Sequence, residues 1–316
     1  MKAVFSIIYE GKDVTNDLSD LVERIEFTDC LEGRAGSLSI TFADHEQNFL
    51  KAWMPLAGDT MQVYLGVEGS ALLDTQTFWV DEFSMSGSRG GSRCVIKSLS
   101  TSPKNIVTTP KRSSASQSLQ TLANTVASQL GLTLKGNVSG NVVGNQNAAN
   151  LQYLMQQCHR NGYILKVEGG NLVAYEYSKL RNSNSLKISL NDVVDWDYES
   201  KAEGRFAKCE VRWYDAQKKK LYSGVANAGG GGSTATIYEQ VDSNEDAAKR
   251  AAKWLENRAK KEIDIRLRLA GDVRLLAGVA VELTDAGNIN GKYVIKEARH
   301  QIDRDVLFET EITLQK

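Results

Sequence analysis

Apolar side chains recur at every second position through most of the first hundred residues. "SLSITF" places Leu38, Ile40 and Phe42 on one face, and "TMQVYLGV" places Met61, Val63, Leu65 and Val67 on one face. "TFWVDEFSM" and "RCVIKSLS" follow, separated by the Gly/Ser-rich "SGSRGGS". Period-two alternation interrupted by glycine-rich turns predicts antiparallel strands closing a barrel or sandwich over residues 1–100.

The rhythm then becomes helical. Leu119, Leu122, Ala123, Val126, Ala127 and Leu130 recur at three- and four-residue spacing, with Ser116 as the N-cap and Gly131 just past the end. After the Gly/Asn-rich "KGNVSGNVVGNQN", Leu151, Leu154, Met155 and Cys158 form the stripe of a second helix that Gly162 ends. "YILKVEGGNLVAYEY" reads as a hairpin turning at Gly169–Gly170. Residues 101–185 are therefore expected to be a small α+β module.

Strand patterning returns in "SLKISL", "AKCEVRWYDA" and "KKLYSGVA". A loop tip follows at "NAGGGGST", holding Gly229, Gly230, Gly231 and Gly232, the candidate contact loop for a partner. A helix is expected over 243–262, with Ser243 and Asp246 as a capping box and Ala248, Ala251, Ala252, Leu255 and Ala259 as its packing face. Strands "GVAVELTD", "GKYVIKEARHQID" and "FETEITL" close the chain, so 186–316 reads as a second barrel. The class is mainly β with an α+β insert: two related antiparallel barrels flanking a small module.

The two β segments also resemble each other. "LAGDTMQVYL" at 56–65 aligns with "LAGVAVELTD" at 276–285, pairing Gly58 with Gly278. "FWVDEF" at 78–83 aligns with "YVIKEA" at 293–298, pairing Glu82 with Glu297. A duplicated β-domain is the reading this suggests. A cyclic trimer of such a chain would display six similar domains, joining a threefold object to a sixfold one.

Composition narrows the function classes. Net charge is −1 over 316 residues, so no global field points to nucleic acid or membrane. The charge is unevenly placed: −7 over 1–100, +6 over 101–185 and zero over 186–316. That asymmetry fits composition drift between domains or head-to-tail contact between copies. No run approaches the ~18–20 apolar residues of a membrane span, and the start lacks a secretory h-region. Cys30, Cys94, Cys158 and Cys209 are far apart with no CxxC, as buried thiols of a reducing compartment would be. Cys158 and His159 are adjacent, but neighbours on a helix point about 100° apart and do not face each other. The pair is read as packing, with no catalytic, cofactor or metal site.

Four stretches together resemble the late control protein D family, the baseplate hub proteins of contractile phage tails and related injection machines. They are "YEGKDVTNDLSDLVERIEFTD", "MPLAGDTMQVYLGV" with "FWVDEFS", "NLQYLMQQCHRNGYILKVEGGNLVAYE", and "EDAAKRAAKWLENRAKKE" leading into "GKYVIKEARHQID". The resemblance implies a homotrimer whose barrels form a pseudo-sixfold ring between a hexameric tail tube and a central spike. Implied partners are the tube or tube-initiator protein, baseplate wedge proteins and a spike on a separate chain. DNA would pass through the lumen without stable binding. The implied location is a virion tail baseplate or injection particle, assembled in the host cytoplasm.

Two other readings stand beside this structural one. A tail-associated cell-wall hydrolase needs facing carboxylates, and no GxSxG, HExxH or GxxxxGK[ST] signature occurs. A glycan- or receptor-binding module would use exposed aromatics such as Trp53, Trp79, Trp196 and Trp213.

Overall fold

A computed structural model of the chain describes residues 2–32, 34–88, 91–101, 118–142, 150–201, 206–229, 232–260, 263–304 and 307–316. The first segment holds β1 (Ala3–Tyr9), β2 (Lys12–Asp13), α1 (Thr15–Leu18), β3 (Val22–Cys30), β4 (Ser37–Ala43), β5 (Thr60–Val67), β6 (Leu73–Asp74), β7 (Phe78–Ser88) and β8 (Gly91–Leu99). The middle holds α2 (Leu119–Gln129), β9 (Thr133–Lys135), α3 (Asn150–Arg160), β10 (Tyr163–Glu168), β11 (Asn171–Glu176) and α4 (Tyr177–Arg181). The last segment holds β12 (Leu186–Ser189), β13 (Asp195–Ser200), β14 (Phe206–Asp215), β15 (Lys220–Asn227), β16 (Ser233–Tyr238), α5 (Asn244–Ala259), β17 (Ile263–Ala270), β18 (Ala280–Thr284), β19 (Gly291–Asp303) and β20 (Phe308–Gln315).

The class is mainly β with large antiparallel sheets. Both outer segments share a single 14-stranded sheet, with the path β13-β17-β20-β19-β3-β4-β8-β7-β5-β1-β2. Among the described residues the pairing order is an open path, and the two segments expected as barrels contribute two halves to one sheet. The first half runs β5-β7-β8-β4-β3 and the second β18-β19-β20-β17-β13. Every neighbour in both successions is antiparallel. The halves diverge one strand further out, where β1 is antiparallel to β5 but β12 is parallel to β18.

Alternation decides which face is buried. Leu38, Ile40, Phe42, Met61, Val63 and Leu65 fill the first core, and Ile265, Leu267, Val281, Leu283, Ile312 and Leu314 the second. The cores are not independent, because Ile302 and Phe308 of the second half pack in the first. His300 sits between them, its ring stacked 5.9 Å from both Phe27 and Phe308. Its Nε2 donates to the Leu275 carbonyl at 2.9 Å, so Nδ1 accepts from the Thr310 hydroxyl at 3.0 Å.

In the middle segment Leu119, Leu122, Ala123, Val126 and Ala127 are all buried, as their spacing predicts. The N-cap is Ser118, whose hydroxyl accepts from the Thr121 N–H; Ser116 lies outside the described residues. Gly169 and Gly170 carry φ of 51° and 75°, the two left-handed positions that a tight β10–β11 turn demands.

Residues 206–259 build a separate sheet, β15-β14-β16, covered by α5 around Cys209, Val211, Tyr222, Ala251 and Leu255. Ser243 caps α5 through the Asp246 N–H at 3.0 Å, as expected. The buried stripe is Ala247, Ala251 and Leu255 with Arg250, whereas Ala252 and Ala259 face solvent. Paired alanines at 247/248 and 251/252 leave the helical phase open in the sequence; contact with β15 fixes it. A side chain at Gly224 of β15 would put its Cβ 2.1 Å from the Ala248 nitrogen, so the helix lies directly on that backbone.

Burial lowers the His300 pKa from 6.5 to about 4. The unfolded chain therefore binds a proton between those values that the folded chain does not, and stability falls as pH drops below 6.5. At about 1.4 kcal/mol per pH unit, urea unfolding at pH 5 should show about 2 kcal/mol less stability than at pH 7. The difference should shrink to a few tenths in His300→Asn.

Candidate assembly surface

Two turns with the same hydrogen bonding anchor the two halves. Gly58 and Gly278 have φ of +94° and +96°. The Gly58 N–H donates to the Val80 carbonyl and the Gly278 N–H to that of Ile295, both at 2.8 Å. Val80 N–H returns to Asp59 at 2.8 Å, and Ile295 N–H to Val279 at 2.9 Å. One residue later each long strand is bulged, between Val80 and Glu82 and between Ile295 and Glu297. A left-handed backbone at both glycines is what a side chain there would strain.

Glu82 and Glu297 thus hold equivalent places after a bulge, with different partners. Glu82 pairs with Lys97 at 3.0 Å on an exposed surface, and Glu297 pairs with Arg34. The first turn is further tied by the Asp59 carboxylate, which accepts from the Tyr9 hydroxyl and, at 2.7 Å, from the Leu56 N–H. Val279 replaces Asp59 in the second turn, so that turn lacks this carboxylate.

The halves meet where β3 pairs antiparallel with β19, from Arg24 opposite Asp303 to Cys30 opposite Glu297. On the polar face Arg24 pairs with Asp303 at 2.6 Å, and Arg299 with Glu26 at 2.5 Å. Asp29 lies buried near one end. It accepts from the Ala277 N–H at 3.0 Å and from Lys166 of β10 at 2.8 Å. One carboxylate therefore joins the first half, the second half's turn and the middle module. Burial pushes its carboxyl up more than Lys166 pulls it down. Burial also acts to lower Lys166, but Asp29 and Glu168 outweigh it and hold the ammonium above its ordinary value.

Two open edges of the 14-stranded sheet belong to its longer strands. β13 pairs only with β17, and its Trp196 and Tyr198 are 50% and 41% exposed. β7 pairs with β8 throughout but with β5 only at Phe78 and Trp79, leaving Glu82–Ser88 without a strand on that side. The sequence reading passed over both β13 and β17. Their signal was present in "DWDYES" and "IDIRLRLA", where apolar and charged residues alternate. A further apolar surface is formed by Leu50, Trp53, Met54 and Leu56, all exposed. Of these, Trp53 and Met54 line a cavity of about 280 Å3 that reaches Tyr9 and Phe49. Of the glycine loop, Gly229 has φ +78° and open space around it; Gly230 and Gly231 lie outside the described residues, and Gly232 is described.

Cys158 is fully buried on its helix and burial pushes its thiol up to about 12, while His159 faces Asn257 of α5 at 3.3 Å. Thr310, His300 and Asp272 form a hydrogen-bonded row, but Thr310 and His300 are fully buried and Asp272 contributes only its backbone N–H. Among the described residues no group of His, Cys, Asp or Glu is placed to hold a metal, and no helix is long and apolar enough to cross a membrane. Trp53, Trp79, Trp196 and Trp213 lie on separate elements: the loop after β4, β7, β13 and β14.

The fold is that of phage tail proteins. A tail protein from Neisseria meningitidis MC58 matches with a TM-score of 0.75 at 14% identity, over 100% of this chain and 97% of that one. The 43 kDa tail protein of prophage MuSo2 from Shewanella oneidensis matches at 0.73 and 16% identity, over 98% and 97%. An Escherichia coli component of the type VI secretion system, itself structurally similar to T4 bacteriophage tail proteins, matches at 0.59 and 10% identity, over 93% and 73%. No family model and no curated protein matches the sequence. At these identities the likeness is one of fold, and it agrees with the tail-hub resemblance read from the motifs.

The Asp29 junction yields a direct test. Asp29→Ala leaves the buried Lys166 ammonium with only the half-exposed Glu168 carboxylate at 3.4 Å, and should lower urea-unfolding stability by about 3 kcal/mol, the low end for a broken buried pair. Adding Lys166→Met to Asp29→Leu should recover most of that loss. The remaining deficit should be about 1 kcal/mol, because the Ala277 N–H stays unsatisfied.

Proposed function

We propose that this protein is a structural hub of a phage tail or related injection particle. Three copies would form a pseudo-sixfold ring that adapts a hexameric tube to a threefold spike. The observation that carries this reading is the repeated half: one strand succession, one glycine turn and one bulge, each present twice in the chain. Three chains with two such halves supply six similar units under closed symmetry, with no second gene. The tail-protein fold supports the same reading.

The hub works by burying surface, and it carries out no reaction. Its partners are the tube or tube-initiator ring, a spike on a separate chain and baseplate wedge proteins. The exposed Leu50, Trp53, Met54 and Leu56 surface is of a kind that marks a contact site, and the Gly229, Gly230, Gly231 and Gly232 loop is assigned to a partner contact. The site of action is the tail baseplate, reached by assembly in the host cytoplasm, with DNA passing through the lumen unbound.

Light scattering across a concentration series tests this. The expected species has three times the 34.8 kDa chain mass. An even-numbered oligomer, or a single chain at every concentration, contradicts the ring.

A further inference from the structure

We propose that neighbouring copies join by β-strand addition, the β13 edge of one copy pairing antiparallel with Glu82–Ser88 on the open β7 edge of the next. This rests on the ring reading above, and deepens it to a named seam and register.

On β19, β18 covers the start of one side and β3 the rest, from Glu297 onward. On β7 the equivalent side is covered at the start by β5, and the rest is open. The strand equivalent to β3 is β13, since each is the last strand of its half. The open stretch of β7 is therefore the place that β13 of another copy fits, repeating between chains the junction that β3 and β19 make within one. Unpaired edge N–H and C=O groups are the natural template for such an addition.

The equivalence fixes the register. Phe27 reaches Ser98 through Leu38, and Tyr198 reaches Leu314 through Ile265. Ser98 and Leu314 each pair with the residue just before the bulge, Val80 and Ile295. Tyr198 thus matches Phe27 and Trp196 matches Ile25, while Met85 matches His300 and Gly87 matches Ile302. Within the chain Ile25 faces Ile302 and Phe27 faces His300. Across the seam Trp196 would face Gly87, and Tyr198 would face Met85.

Two observations favour this occupant. Ile25 and Phe27 are 0% and 5% exposed, whereas the matching Trp196 and Tyr198 are 50% and 41% exposed, which is what a half-junction awaiting its partner would show. The volumes also compensate: an Ile–Ile pair becomes a large Trp opposite a glycine, the arrangement in which an aromatic covers an edge glycine. On the other face, Asp197 and Glu199 would lie against Ser86 and Ser84, whose hydroxyls can donate to carboxylates. The internal junction instead carries the Arg24–Asp303 and Arg299–Glu26 ion pairs. The seam between copies should accordingly be less salt-sensitive than an ion-paired interface.

Disulfide trapping tests the register. Residues directly opposite in an antiparallel ladder have Cα atoms about 4.5–5.5 Å apart, within disulfide reach. The chain carrying Tyr198→Cys and Met85→Cys is oxidised with copper phenanthroline; the four native cysteines are buried. Covalent two- and three-chain species are expected. A control with Tyr198→Cys and Ser84→Cys, one residue off and on the opposite face, should link about tenfold less. Separately, Trp196→Glu should weaken association about tenfold or more while leaving the circular dichroism of the single chain unchanged, since Trp196 is exposed there. A three-chain particle in which neither cysteine pair links, or both link equally, overturns the seam and leaves the hub reading standing. A protein that never exceeds one chain overturns both.

Discussion

Everything in this chain is arranged around the pairing of β3 with β19. It turns two similar β halves into one sheet. β3 is given to the second half within the chain, and β13 is left at the edge. The cores follow the same logic: Ile302 and Phe308 reach into the first core, and His300 is stacked between Phe27 and Phe308. A long ladder with apolar pairs on one face and ion pairs on the other holds the relative orientation of the halves.

The buried Asp29–Lys166 pair adds the third piece. Burying two charges costs about as much as their attraction returns, so the pair is a poor source of net stability. Its geometry is satisfied only when β3, the Ala277 turn and β10 are all in place. The charge asymmetry along the sequence, acidic first segment and basic middle, has this contact as one internal expression.

Much of this was legible in the sequence where one residue type had one physical reason. Alternating Leu38, Ile40 and Phe42 could face only one core, and glycines at 169 and 170 could make only a left-handed turn. The class and the tail-protein likeness followed from such signals. Three kinds of feature did not. The phase of α5 was hidden by doubled alanines, which only contact with β15 resolves. The sharing of one sheet by both halves depends on which edge strand pairs with which, and strand propensity is silent on that. The strand β13 alternates Trp196 and Tyr198 with acids, yet both aromatics are exposed in the single chain, so even burial did not announce its role. Sequence comparison of the two LAG turns, by contrast, pointed to the pair of positions that share their backbone conformation and hydrogen bonds.

Whether one chain supplies two equivalent positions in a ring is decided by the symmetry of the assembled particle. Electron microscopy of the purified particle, with class averages viewed down its axis, tests this most directly. The account predicts threefold averages with a strong sixfold modulation in the β layer, from six similar halves around a central opening. Averages with threefold density but no sixfold component, or with twofold symmetry, would contradict it.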